Sequence, residues 1–320
     1  MRTAKYVITQ QAVEGVHGVS TQAYKRAVGL FCEHIKVEYG IKSSRQLEAL
    51  TVPERTDMIN QYVRTLQDRG LSPATIHTYI APVCKGMSVP MQAIDKPKRT
   101  AGSITKSRDL GQNERGYRAE QSPEVQRLLQ AQQCIGVRRS ELLKLRGKDL
   151  QTDVNGNLCV HVSNGKDGKE QMQVVLPTDR AAVQALFYGI APDQPIFSAA
   201  EIRKSAKIDL HSIRAAHART AYKLYAAICA AGGADKLRSA LLRTWDAYHP
   251  GSKNSARYKA QRERFVHDMD GVVYKLRGAN RDRAVAEGRP TSYDRLALMC
   301  VSVWHLSHWR NDVTVKHYML

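Results

Sequence analysis

Apolar residues recur at helical spacing through the first part of the chain and then stop, and this break limits the fold more than any other feature. Tyr24, Val28, Phe31 and Ile35 form one stripe. Met58, Ile59, Tyr62, Val63 and Leu66 form a second, between Thr51 and Pro53, where a helix would begin, and Gly70, where it would end. Ser72-Pro73 opens a third run carrying Ile76, Tyr79, Ile80 and Val83, with Pro82 expected to kink it. The spacing predicts a bundle of three to four short helices over roughly residues 15–90. From Lys96 to Arg118 the pattern is lost, and seven basic residues stand against two acids. That stretch reads as a basic linker, suited to lie along a phosphate backbone.

From about Pro123 a different pattern begins. Val125–Ile135 and Ser140–Leu145 read as helices. Leu158, Val160 and Val162 then alternate with Cys159 and His161, and Gln171–Leu176 forms a second strand-like run beside the turn signals Asn155-Gly156 and Asn164-Gly165. After Pro192 helix is expected to the end. The expected class is mostly α with a small β-sheet (α+β). The expected units are a helical domain over 1–95, a linker over 96–122 and a mixed domain over 123–320.

With 42% apolar and 25% charged residues, the composition is that of an ordinary globular protein, not a disordered or membrane chain. No apolar run reaches the roughly 20 residues that a bilayer span needs, and the first residues lack the apolar stretch of a secretory signal. The 49 Lys and Arg against 30 Asp and Glu leave a net charge of +19, which favours a polyanionic partner, most often nucleic acid. The six cysteines include no Cys-x-x-Cys pair, so neither a zinc ribbon nor a disulfide scaffold is indicated, and they read as buried thiols of a reducing cytoplasm.

Three segments carry candidate chemistry. In Gly136-Val137-Arg138-Arg139-Ser140-Glu141-Leu142, Arg138 stands at the start of a short helix, electrostatically misplaced unless an anion is near. In Asp209-Leu210-His211-Ser212-Ile213-Arg214, Asp209 is a helix cap, and His211 and Arg214 share a face near the helix's positive end. Leu306-Ser307-His308 is followed by Asp312-Val313-Thr314 and Tyr318.

Together and in this order, these segments resemble the signature of the tyrosine recombinases, the phage-integrase family. Gly70-Leu71-Ser72-Pro73-Ala74-Thr75-Ile76 adds to the likeness, being similar to the entry into the last helix of that family's core-binding domain. The resemblance covers roughly residues 17–90 and 123–320. It implies a core-binding domain followed by a catalytic domain that cuts and rejoins DNA through a 3′-phosphotyrosyl bond. The catalytic set it implies is Arg138, Lys166, His211, Arg214, His308 and the nucleophile Tyr318, with Lys169 as the alternative to Lys166. Lys96, Lys98, Arg99, Lys106, Arg108 and Arg139 are the expected DNA contacts. Neither metal nor cofactor is implied, since the covalent bond stores the energy for religation. The implied partners are duplex DNA, a homotetramer on two DNA sites and accessory DNA-bending proteins, with no membrane. The implied setting is the nucleoid-associated cytoplasm of a prokaryote carrying a prophage or other mobile element. A DNA-binding protein that has lost catalysis, acting as a repressor or architectural factor, is the competing reading.

The chain departs from the family at several places. Ser307 replaces the usual glycine, Ala215 replaces a frequent second histidine, and ten positions instead of nine separate His308 from Tyr318. Arg214 and His308 lie 94 positions apart, where about two dozen residues usually intervene. The surplus, about 232–290, reads as two helices, Asp235–Tyr248 and Ser255–Leu276. Thirteen basic residues against six acids between Lys236 and Arg289 make it a candidate for assembly on DNA, with no part expected in the chemical step.

Overall fold

A computed structural model describes residues 2–99, 122–165, 168–205, 208–249 and 255–319. The chain divides into two units, Met1–Thr105 and Lys106–Leu320, and its class is α+β: predominantly helical, with small antiparallel sheets.

The described residues of the first unit form five α-helices: α1 (Ala4–Val13), α2 (Val19–Tyr39), α3 (Ser44–Glu48), α4 (Val52–Asp68) and α5 (Pro73–Gly86). Local chemistry sets their ends. Thr51 and Glu54 form a reciprocal cap at the start of α4, and Ser72 caps α5 ahead of Pro73. α5 continues through Pro82 to Gly86. Two helices escape the sequence pattern. α1 buries only Ala4, Ile8 and Ala12, a stripe too thin to read, and α3 is a single capped turn. Gly86 explains how α1 docks: a Cβ there would stand 2.5 Å from the Ile8 carbonyl oxygen, so only glycine lets α5 lie this close. The core is apolar, with Phe31 and Tyr62 meeting edge to face at 5.3 Å.

The second unit opens with α6 (Pro123–Ile135) and α7 (Arg139–Leu142), and α7 is a single turn where a longer helix was expected. An antiparallel sheet follows in the order β1 (Leu150–Thr152), β2 (Leu158–Val162) and β3 (Gln171–Val174), with Leu150 opposite Val160 and Cys159 opposite Val174. β1 alternates too briefly to be seen in the sequence. Next come α8 (Arg180–Phe187), α9 (Ala199–Lys204) and the long α10 (Leu210–Ile228).

The 232–290 segment differs from its expected form. It comprises α11 (Ala234–Tyr248), α12 (Ala256–Met269), β4 (Val273–Lys275) and α13 (Gly278–Ala286). β4 pairs with β5 (Ser292–Asp294), a ladder the sequence pattern did not signal. The second helix therefore ends at Met269, not Leu276. Leu237, Leu241, Trp245, Phe265, Met269 and Leu276 are buried in one core with α14 (Arg295–Trp304) and Tyr318. The segment is part of the fold and not a solvated hairpin. α14 is buried on every side from Leu296 to Trp304, which is why it shows no amphipathic stripe. The described chain ends in α15 (Asn311–Thr314) and a π-helical turn, Val315–Met319. No helix among the described residues is long and apolar enough to cross a membrane. All six cysteines are free thiols, four of them buried and Cys134 and Cys229 half-buried.

Candidate active site

The site is assembled around one buried guanidinium. Arg214, on the first turns of α10, has no exposed surface. Its Nη1 donates to the Gly136 carbonyl at 2.5 Å, its Nη2 to the Leu306 carbonyl at 3.1 Å, and its Nε to the Tyr318 hydroxyl at 3.4 Å. Three segments distant in sequence are thus tied to one side chain. Burial lowers the Arg214 pKa, opposed by Tyr318 and Glu141 and reinforced by Arg138. Arginine stays charged through such a shift.

Each connection has a local cause. Gly136 ends α6 in the left-handed region at φ 67, and a Cβ there would stand 2.3 Å from His217 Cδ2. Glycine is required on both counts. Gln132, fully buried, donates from Nε2 to the Val137 and Leu210 carbonyls at 2.7 Å each, joining the loop before Arg138 to the start of α10. Asp209 caps α10 by accepting from the His211 and Ser212 amides.

Arg138 occupies the cap position of α7, and the anion its place demands is Glu141. Glu141 Oε1 accepts from Arg138 Nη1 at 2.7 Å while Oε2 accepts from the Arg138 amide at 2.8 Å. Burial raises the Glu141 pKa, but the hydrogen bonds and charge of Arg138, with Arg214 beyond, outweigh it and leave the carboxyl below its ordinary value. Gly165, shortly after β2, approaches the same carboxylate: a Cβ there would lie 3.1 Å from Glu141 Oε1.

Two histidines flank the Tyr318 ring. His308 Nε2 lies 3.4 Å from the hydroxyl, and the His211 ring centroid lies 5.8 Å from that of Tyr318. Burial pushes the His308 pKa down to about 3, helped by the charges of Arg214, Arg138 and Lys169, so this imidazole is neutral at neutral pH. Tyr318 is 4% exposed, and the Arg214 guanidinium lies over its ring at 5.7 Å. Tyr318 lies in a π-helical turn, Val315–Met319, which takes more residues per turn than an α-helix. Ser307 adopts φ 55, a backbone state that glycine favours.

Arg138, His211, Arg214, His308 and Tyr318 therefore lie near one another, with His211 and His308 against the Tyr318 ring, Arg214 at its hydroxyl, and the charge of Arg138 acting on both Arg214 and His308. Lys166, Lys106 and Arg108 lie outside the described residues. Lys169 has its charge near His308. Arg139 donates to the Ser205 hydroxyl at 2.8 Å. In the first unit, Lys96 bonds the Met91 and Ile94 carbonyls, whereas Lys98 and Arg99 are exposed.

Sequence reasoning missed several residues of this architecture. Glu141 was visible in the Arg-x-x-Glu spacing, which places an acid at the third helical position within reach of the cap residue's amide. His217 and His305 gave no signal, yet they form a buried relay. Tyr225 donates to His305 Nε2, His305 Nδ1 to His217 Nε2, and His217 Nδ1 to the Gln133 carbonyl, over 3.0, 3.0 and 2.8 Å. The carbonyl can only accept, which sets the direction of the relay. Burial holds both rings neutral, lowering His217 to about 4 and His305 well below its ordinary value.

No family model matches the chain and no curated protein matches it. Among solved structures, the chain is similar to the Tn1549 transposon integrase, determined in complex with circular-intermediate DNA. The two share 13% identity at a TM-score of 0.37, over 71% of this chain and 88% of the integrase chain.

Proposed function

We propose that the chain is a site-specific DNA recombinase, an integrase of a prophage or other mobile element, which cuts and rejoins DNA through a 3′-phosphotyrosyl intermediate. The supporting observation is that Arg214 and His308 meet at the Tyr318 hydroxyl, with the His211 ring beside the tyrosine ring and the charge of Arg138 close to Arg214. A phosphodiester under attack builds negative charge on its nonbridging oxygens, and forked guanidiniums suit that charge. Arg214 directs three of its five N–H groups at Tyr318, Gly136 and Leu306, leaving two for phosphate oxygens. Arg138 provides the second fork. The Tyr318 oxygen bonds to phosphorus as the bond to the 5′-oxygen breaks. The tyrosine proton passes to His211, and Lys166, or Lys169 in its place, protonates the leaving oxygen. Neutral His308 donates to a nonbridging oxygen. The Tyr318 ring covers Arg214, so the terminal turn shifts as the phosphate enters.

The partners in this reading are duplex DNA, three further copies of the chain on two DNA sites and accessory bending proteins. Residues 1–95 form its core-binding domain, 96–122 a basic strap and 123–320 the catalytic domain. The reading as a binding protein without catalysis drew its support from the ten-position spacing, across which His308 and Tyr318 still meet.

The test is a nicked suicide duplex carrying the end sequence of the element that encodes the chain. Wild-type protein is expected to form an adduct that survives denaturation, while Tyr318→Phe binds the duplex and forms none. An adduct from the Phe variant would move the nucleophile elsewhere, and none from wild type would leave a DNA-binding protein.

A further inference from the structure

His308 sits between two residues in a strained backbone state. Ser307 and Trp309 have φ of 55 and 57, the left-handed region that residues other than glycine enter only against steric opposition from Cβ. Such states persist where the surroundings over-determine them. Part of the restraint is local: the His308 amide donates to the Ser302 carbonyl at 2.9 Å, and the Arg310 amide to Ser302 Oγ at 2.8 Å.

The rest comes from the 232–290 segment. The Trp309 ring is surrounded by Trp245, Tyr248, His249 and Phe265, with centroids 5.4–5.7 Å away and all but Phe265 meeting it edge to face. All four rings come from α11, α12 and the residue after α11. Trp245 is itself stacked between His249 and Phe265 at 3.9 and 4.7 Å, so the cage is braced from within. The same segment grips both sides of the loop. Trp304 Nε1 donates to Thr244 Oγ1 at 3.1 Å before it, and Asn311 Nδ2 to the Asp268 carbonyl at 3.0 Å after it.

We infer that the 232–290 segment is a clamp on the His308 loop, and that Trp309 is a positioning residue whose caging aims the His308 imidazole at the Tyr318 hydroxyl. This rests on the recombinase reading above and revises the expectation that the segment serves assembly alone. Trp309 needs no contact with DNA. Its ring fixes the backbone on one side of His308, and the arrangement is sensitive because a displacement of about 1 Å at a reacting centre costs about 100-fold in rate.

The experiment measures adduct formation on the suicide duplex at saturating DNA, DNA affinity, and hydrogen exchange of peptides spanning 300–312. Trp309→Ala is expected to slow the adduct step about 10- to 100-fold, to leave Kd within about twofold because only the aim of His308 changes, and to quicken exchange around His308. Trp309→Phe keeps an aromatic ring in the cage and is expected to restore most of the rate. Phe265→Leu, which thins the cage from the far side, reads the same effect should Trp309→Ala fail to fold. A wild-type adduct rate in Trp309→Ala, a Phe variant as slow as the Ala variant, or unchanged exchange would overturn the clamp. Wild-type protein that forms no adduct, beside quickened exchange in Trp309→Ala, would instead remove the recombinase reading and leave the clamp in place.

Discussion

The two units bury different chemistry. Among the described residues of Met1–Thr105, the buried side chains from Ala4 to Ile94 are aliphatic, aromatic, thiol or thioether. In Lys106–Leu320 the interior also holds Gln132, Glu141, Arg214, His217, Ser302 and His305, and every buried polar or charged residue of the described chain lies in this unit. An apolar interior specifies how helices stack and tolerates exchange of similar volumes. A buried polar network is sensitive to each member, because removing one partner leaves another buried group unpaired. The first unit is built as a shape, whereas the second holds particular atoms at particular places.

The sharpest way to break that comparison is at its hub. Arg214→Ala is expected to abolish adduct formation on the suicide duplex, by about 1,000-fold or more, and to lower stability by removing the tie between Gly136, Leu306 and Tyr318. An active Arg214→Ala protein would make the network ornamental.

The counterpart in the first unit is Phe31→Ala, which opens a cavity beside Tyr62. The expected cost is about 3–5 kcal/mol, read from the urea midpoint, with the adduct rate per DNA-bound molecule unchanged. A specific loss of the chemical step would place the first unit in the catalytic architecture.

Acid should divide the units more gently. The folded chain protonates His217 only near pH 4 and His308 only near pH 3, whereas the unfolded chain protonates both near 6.5. The unfolded state binds more protons between these values, so stability falls as the pH drops from about 6.5 towards 4. In the first unit His34 is also lowered by burial. Amide exchange at pH 7 and pH 5 is expected to lose protection first around α10 and the His305 loop, and His217→Gln to flatten that dependence. Earlier loss in α2 and α4 would reverse the assignment.

The smallest effect is expected at Ser307. Glycine suits its φ of 55 but loses more freedom on folding, so Ser307→Gly should change stability by less than about 1 kcal/mol. A β-branched Val at the same place should cost about 2 kcal/mol, measured by thermal unfolding. Equal tolerance of Val would show that the loop is not held as described.

The sequence by itself determined the elements whose physics is local. The stripes of α2, α4 and α5 and their Thr51 and Ser72 caps repeat every turn or act within three residues, so a one-dimensional pattern contains them. Arg138, His211, Arg214, His308 and Tyr318 were legible as types in order, because their segments carry recognisable spacing. Only the tertiary structure decided what joins them. Glu141 facing Gly165, the His217–His305 relay and Trp309 in a cage of rings more than 40 positions away are contacts between distant segments, and residue type alone does not say which partners meet. The 232–290 segment shows the reason most clearly. Its charge is spread along the sequence and reads as a basic surface, whereas Leu241, Trp245, Phe265 and Met269 became a core only when α14 was laid against them.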